Sequence, residues 1–327
     1  MTEAPPILDA GRGEFITPDP DGFREYVREH KDRRMVKKVI TEHEAIARYV
    51  SDGDYVAYDQ NIAVRGPASL YREIIRQRKK DLWVMAKFTW TDVSLLVAGG
   101  CVSKVDVGWM ETGPVINRAV KEGRLKLIEW SNGALAYRLL AGSLGVPYLP
   151  MRYLGGTDTF EQSGARLTED PYTGKPVCVV PALNPDVALI HVQQCDIYGN
   201  ARVLGAGVAP AEMAMASKRV IISTEEIIET DAIRRQPQRT TIPYYLVDAV
   251  VHAPFGSYPG STPGLYGADL EHWLAFAAAQ AQDKTEEYLD RWVHSVASHQ
   301  EMLDQRLGAE KLDRLRQAET VREGYYD

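Results

Sequence analysis

The sequence predicts an α/β protein: an open, mostly parallel sheet flanked by helices, with a helical C-terminal segment. Three observations predict it. Short apolar runs rich in β-branched residues alternate with helical patterns about ten residues long. Glycine closes the helical patterns where a C-cap needs a left-handed residue, at Gly99-Gly100, Gly123 and Gly145. The run Val187 to Val192, apolar at all but His191, is too short for a helix and reads as a buried strand.

Each element follows in order. Met1 to about Asp19 is rich in Pro, Gly and acid and reads as an extended arm. Phe23 to Lys38 is strongly charged and reads as a solvated surface helix; these 40 residues stand apart from the α/β pattern. That pattern occupies residues 41–265. Thr41 with Glu44 has capping-box form and opens the helix EHEAIARYV. Tyr55 to Tyr58 is a strand, and Pro67 to Lys79 a helix with apolar residues at Leu70, Ile74 and Ile75. Leu82 to Phe88, Val102 to Val107 and Leu125 to Glu129 are strands. Helices at Ser94 to Ala98, Gly113 to Glu122 and Asn132 to Leu144 alternate with them. Gly155 to Lys175 has no period and reads as a long loop. Strands are expected at Val177–Val180, Val187–Val192, Ala201–Leu204, Val220–Thr224 and Val247–Val251. A helix is expected at Ala209 to Ser217, and another after Ser223 or Thr224 as N-cap. Residues 266–327 are mostly helical, anchored by Trp273, Phe276, Tyr288, Leu289 and Trp292.

Composition excludes several classes. A formal net charge of -7 and a pI of about 5.6 give no attraction to nucleic acid or to anionic lipid. No stretch approaches the roughly 18 apolar residues of a membrane span, and the N-terminus lacks the basic start and apolar core of a signal peptide. Cys101, Cys178 and Cys195 each lie in an apolar run and match no metal spacing, so they read as reduced core thiols of a cytoplasmic protein. No metal cluster, P-loop or Ser-His-Asp arrangement is legible. Gly205-x-Gly207 precedes a helix but lacks the third glycine and the acid of a dinucleotide site.

Five segments in order carry a family resemblance. PALNPDVALIHVQQCDIYGNARVL, Pro181 to Leu204, places a buried strand before an Asp-x-x-Gly-Asn turn. IIRQ, Ile74 to Gln77, is followed by Asp81-Leu82. LLAGSLGVPYLPMR, Leu139 to Arg152, ends a helix at a glycine and crosses the sheet through two prolines. STEEIIETDAIRRQP starts at Ser223, and DAVVHAPFGSYPGSTPGLYGAD at Asp248. Together they resemble the class I coenzyme A transferases, most closely the A (alpha) subunit of the glutaconate type. The resemblance implies an alpha chain that pairs with a B (beta) chain in a hetero-oligomer, with the active site between them. It implies acyl-CoA and carboxylic acid as substrates, coenzyme A as co-substrate and no permanently bound cofactor. The nucleophilic glutamate, which carries the CoA as a glutamyl-CoA thioester, is then expected on the beta chain.

The sequence departs from the pattern where glycine-rich loops are expected. The first strand ends in Asp59-Gln60-Asn61, and the second in AKFTW, Ala86 to Trp90. The candidate substrate- and CoA-binding residues are Gln60, Asn61, Arg65, Lys87, Phe88, Ser131, Asn132 and Gly133. Amides at Gln60 and Asn61 are candidate donors in place of glycine N–H groups. Arg65 is either a carboxylate ligand or an exposed arginine, and Lys87 either an anion ligand or a snorkelling lysine. Ser131 to Gly133 open a helix at a strand's C-terminal end, where open sheets bind ligands, although simple capping accounts for them too. Glu129 is either a general base or a solvated acid. His191 reads as a satisfied buried histidine. Trp83, Trp90, Trp109 and Trp130 cluster at strand ends as core or as acyl-pocket wall. Two other readings remain open: the alpha subunit of a ring-opening or C–C-cleaving hydrolase of the same fold, and a non-catalytic scaffold.

Overall fold

The computed structural model describes residues 6–205 and 207–319. Its elements run β1 Ile7–Ala10, α1 Pro20–His30, α2 Glu42–Tyr49, β2 Tyr55–Asp59, α3 Ala68–Arg76, β3 Leu82–Ala86, α4 Asp92–Ala98, β4 Val102–Val107, α5 Pro114–Lys121, β5 Lys126–Glu129 and α6 Asn132–Leu144. Then come β6 Tyr148–Met151, α7 Asp158–Gln162, β7 Arg166–Glu169, β8 Pro176–Pro181, β9 Val187–Cys195, β10 Ala201–Arg202, α8 Pro210–Ala216, β11 Arg219–Ile227, α9 Thr230–Arg235 and β12 Ala249–His252. The chain closes with α10 Leu270–Ala281, α11 Thr285–Leu289, α12 His299–Arg306 and α13 Gly308–Ala318.

The main sheet has the order β12-β11-β9-β2-β3-β4-β5, with every neighbouring pair parallel; β10 adds an antiparallel partner to β9. All five residues of β2 and of β3 are buried, because helices cover both faces. Alternate side chains go to opposite cores. Val56, Tyr58, Val84 and Leu189 pack with α2 to α5, while Ala57, Met85, Ala188 and Ile190 pack with α6 and α8. The Thr41 capping box forms as the sequence requires, with Thr41 accepting from the Glu44 N–H and Glu44 accepting from Thr41. Gly145 closes α6 at φ +68°.

Four sequence expectations are corrected. The segment Gly155 to Lys175 is not structureless: it holds α7 and β7, and β7 joins β1, β8 and β6 in a second, antiparallel sheet. The two prolines of the Leu139 to Arg152 segment therefore lead into and sit in a strand rather than in a rigid crossing. Pro150 lies on β6, which pairs with β8 alone, an edge position that does not need its missing N–H. Ser223 and Thr224 do not cap a helix. β11 continues through them to Ile227, paired with β9, and α9 starts only at Thr230. The pairing supplied by β9 outweighs the local helical pattern of the acidic run. The charged N-terminal helix is also shorter than expected, ending at His30.

The C-terminal helices form a third apolar cluster with Phe255, Tyr258 and Tyr266. Arg72 of α3 ties them to the sheet domain: its guanidinium donates to the Tyr258 carbonyl at 2.9 Å and meets His299 Nδ1 at 2.9 Å. Among the described residues no helix is long and apolar enough to cross a membrane, and no cluster of His, Cys, Asp or Glu is arranged to hold a metal ion.

Candidate active-site crevice

The chain leaves β2 to build β3, β4 and β5 on one side, then returns through β9, β11 and β12 on the other. The order reverses between β2 and β9. An open parallel sheet leaves a crevice at that reversal, beyond the strands' C-terminal ends, because the adjoining connections run to opposite sides. The segments at this crevice are the loop of residues 60–66, the 87–90 loop, and the residues after β9.

Asp59, the last residue of β2, and Arg65 are both fully enclosed and paired at 2.8 Å. Arg65 also donates to the His191 carbonyl of β9, and Asp59 Oδ1 accepts the Val208 N–H at 3.1 Å. The pair pins the loop across the reversal point. A buried pair of this kind is needed once either charge is present, since one partner alone carries an uncompensated desolvation cost.

The loop itself is strained. Ile62 has φ +53° and Arg65 φ +55°. A β-branched residue in the left-handed region is disfavoured by about 1–2 kcal/mol. The backbone thus takes the conformation that glycine would take freely, although neither position is glycine. Neighbours enforce it. Asn61 and Val64 exchange both backbone hydrogen bonds, at 3.1 and 2.9 Å, and the Ile62 N–H reaches the Phe88 carbonyl at 2.8 Å. Ser261 donates to the Ala63 carbonyl and accepts from the Arg65 N–H. This approach requires Gly260, where a Cβ would stand 2.5 Å from the Ala63 carbonyl oxygen.

The candidate residues fall into three groups. Gln60 is buried, and its amide is committed inward: it donates to Asp92 at 2.8 Å and to the Ile62 carbonyl, and accepts from Tyr71. Asp92 also accepts from the Tyr58 hydroxyl and the Trp90 N–H. Burial pushes its carboxyl up to about 6, against those donors. Asn61 is half-buried at the loop's start. Arg65 is the buried partner of Asp59 described above.

The second group follows β3. Lys87 is half-buried; its Nζ lies 3.5 Å from the Val208 carbonyl. Burial pushes its ammonium down, while Asp59 and Glu212 hold it up. Phe88 packs at 5.2 Å on Trp109, which is 43 % exposed. Of the other tryptophans, Trp83 bonds to buried Asp106 and Trp130 lies under the Arg138 guanidinium, both in the core; Trp90 packs on Trp273 of α10.

The third group follows β5. Ser131 caps α6 by accepting the Ala134 N–H, and Tyr153 covers Gly133. Gly108, at the end of β4, fits between the Lys87 carbonyl and Asn132 Oδ1, which a Cβ there would approach to 2.6 and 2.4 Å. Lys87 and Asn132 are therefore brought together across Gly108. Glu129 is exposed on edge strand β5.

One constellation escaped the sequence reading. His191 Nδ1 meets Ser223 Oγ at 2.9 Å, and His191 Nε2 meets Glu225 Oε1 at 2.7 Å. Glu225 also accepts from the Tyr266 and Thr262 hydroxyls and from the Phe255 N–H. Ser223 and His191 are fully buried, so this Ser-His-Glu chain offers no nucleophile to a substrate. It fastens residues 255–266, which in turn support loop 60–66 through Ser257 and Ser261. The signal that would have revealed it is the true length of β11, which puts Glu225 at a strand end rather than in a helix.

Comparison with known proteins agrees with this architecture. The family model described as Coenzyme A transferase matches residues 39–253. The chain is 30% identical over 274 residues to the A-type subunit of 3-oxoadipate CoA-transferase from Pseudomonas knackmussii, covering 81% of this chain and 96% of that protein. It is 29% identical over 305 residues to the A-type subunit of glutaconate CoA-transferase from Acidaminococcus fermentans, covering 86% and 95%. The crystal structure of glutaconate coenzyme A-transferase from that organism superposes with a TM-score of 0.82 at 28% identity, over 88% of this chain and 96% of that one.

Proposed function

Because the chain belongs to the coenzyme A transferase family, we propose that it is the alpha subunit of a heteromeric acyl-CoA:carboxylate CoA-transferase. A beta-type partner chain completes the crevice and carries the nucleophilic glutamate. The observation that carries this reading is the state of the carboxylates at the reversal point. Asp59 is held by Arg65 and the Val208 N–H, and Glu225 by four partners. A carboxylate so engaged is a poor nucleophile, because attack would sacrifice its hydrogen bonds. Neither is thus fitted to be the reactive carboxylate, and the relatives, named as A-type subunits, point to a second subunit that supplies it.

The role left to this chain is a rigid wall. In the proposed reaction the partner's glutamate attacks the acyl-CoA to give an acyl-glutamyl anhydride and CoA thiolate. The thiolate attacks the glutamyl carbonyl, releasing the first carboxylate and leaving a glutamyl-CoA thioester, and the reverse steps pass CoA to the second acid. The strained 60–66 loop and the 87–90 loop position the acyl group against it, and their fixed backbone dipoles favour developing negative charge without reorganisation. Coenzyme A enters and leaves as co-substrate.

The test is co-expression with a beta-type chain, then incubation with an acyl-CoA and labelled acetate. Labelled acetyl-CoA is the expected product, with no turnover from this chain alone. Release of free CoA without label, across varied acceptor acids, would overturn transfer in favour of hydrolysis.

A further inference from the structure

Most buried cations in this chain have a committed partner. Arg65 is paired with Asp59, Arg138 with Asp106, and Lys31 with Asp248. Lys38 donates to the Tyr244 and Val247 carbonyls at 2.7 and 2.6 Å. Lys87 differs. It is half-buried at the C-terminal end of β3, yet no carboxylate of the described residues lies within ion-pair distance. Among the described residues its polar contact is a single long one, 3.5 Å to the Val208 carbonyl. Asp59, one of the two acids that act on it, has turned its oxygens to Arg65 and to the Val208 N–H. Burying part of an ammonium without a counter-ion is unfavourable, so a site that keeps one is matched to an anion that arrives with a ligand.

We propose that Lys87 is a specificity-determining residue that binds the remote carboxylate of a diacid acyl group. The choice of anion follows from charge. Arg65 neutralises Asp59, and Glu212 also acts on Lys87, so the site has no surplus positive charge, and a phosphate dianion would leave twice the net negative charge there that a single carboxylate leaves. The remote carboxylate fits better than the reacting one. Pairing the reacting oxygen with an ammonium would weaken it as a nucleophile in each half-reaction, whereas a remote contact is the same in ground and transition states. It then lowers KM and leaves kcat alone. Phe88 and exposed Trp109 beside Lys87 supply an apolar wall for the intervening methylenes.

Two arms test this; only the second rests on the transferase reading. In the first, the chain alone is labelled with fluorodinitrobenzene at pH 8 and the rate at Lys87 is followed by peptide mapping. Succinate, glutarate or adipate should slow labelling of Lys87 at millimolar concentration, while butyrate, valerate and hexanoate should not. Protection by adenosine 3′,5′-bisphosphate alone would assign the site to coenzyme A phosphate and overturn the proposal, as would no protection by any diacid. In the second arm, the complex with its partner is assayed with diacid acyl-CoAs and their chain-length-matched monoacid acyl-CoAs. Lys87→Met should raise KM about 10- to 100-fold for the preferred diacid thioester and several-fold less for the monoacid thioester, with the larger effect in KM rather than kcat; Lys87→Arg should retain part of the preference. An equal effect on both series overturns the proposal. An inactive complex counts against the transferase reading alone, and the labelling result then decides Lys87.

Discussion

At the scale of single residues, the crevice is held by groups whose ionisation burial has altered. Asp92 is the clearest. It accepts from Tyr58, Gln60 and Trp90, yet enclosure raises its carboxyl from 3.8 to about 6. Between those values the folded chain keeps a proton that the unfolded chain has released. The group's contribution is therefore full below about pH 4 and is lost as pH rises through 6, a change of roughly 3 kcal/mol. Asp92→Asn, with no proton to lose, should lack this fall. Urea unfolding of both proteins at pH 4.5 and 7 would measure it; parallel pH dependences would contradict the assignment. The same substitution keeps an oxygen that can accept from Gln60 and Trp90 but replaces the acceptor of the Tyr58 hydroxyl with a donor, so any effect on turnover reports on the packing beneath the loop.

At the scale of elements, the parallel strands end in backbone that packs on backbone. Gly108 shows what this requires. A methyl group at Gly108 would stand 2.6 Å from the Lys87 carbonyl oxygen, which cannot move without shifting β3. Gly108→Ala should therefore destabilise by about 1–3 kcal/mol and displace Lys87 and Asn132 together. Gly133 is the control. A methyl there would meet the Tyr153 hydroxyl at 1.9 Å, but that is the far end of a side chain with room to swing. Gly133→Ala should cost less than about 1 kcal/mol. Thermal unfolding of the two variants checks the ordering, and a Gly133→Ala as damaging as Gly108→Ala would contradict it. The same logic explains Ile62. Neighbouring strands and residues 260–262 over-determine the loop, so the strain of a left-handed β-branched residue persists.

At the scale of the whole molecule, the C-terminal helices are fastened to the sheet domain by buried groups that must stay neutral or paired. His272 lies between Tyr258, Tyr288 and Trp292, and burial pushes its imidazole down to about 3. The unfolded chain binds this proton near pH 6.5, so stability present above 6.5 is lost as pH falls toward 3. About 2 kcal/mol should go by pH 5 from this residue. His299, also enclosed and lowered, adds to the loss. His272→Phe should be less stable than the parent at pH 7.5, where Tyr288 loses its partner, but should lose less on acidification. Denaturant midpoints at pH 7.5 and 5 check both signs, and an unchanged acid sensitivity would contradict the burial argument.

How much was legible in the sequence depended on the range of the interaction. Strand and helix periodicity, the Thr41 capping box and the glycine C-caps are written within a few residues, and they determined the α/β class and the parallel sheet. They also put Lys87, Phe88 and Ser131 to Gly133 at strand ends, and the ordered segments led to the family. What only the tertiary structure decided involves partners far apart in the chain. Arg65 reads as a carboxylate ligand or an exposed arginine until Asp59 and the His191 carbonyl enclose it. Glu225 reads as helical until β9 extends β11 past it. The second sheet is invisible because β1 and β7 are short, and each needs the other to pair. Local propensity is worth tenths of a kcal/mol per residue, whereas enclosing a charge or completing a ladder is worth several; where the two disagree, the long-range term sets the structure.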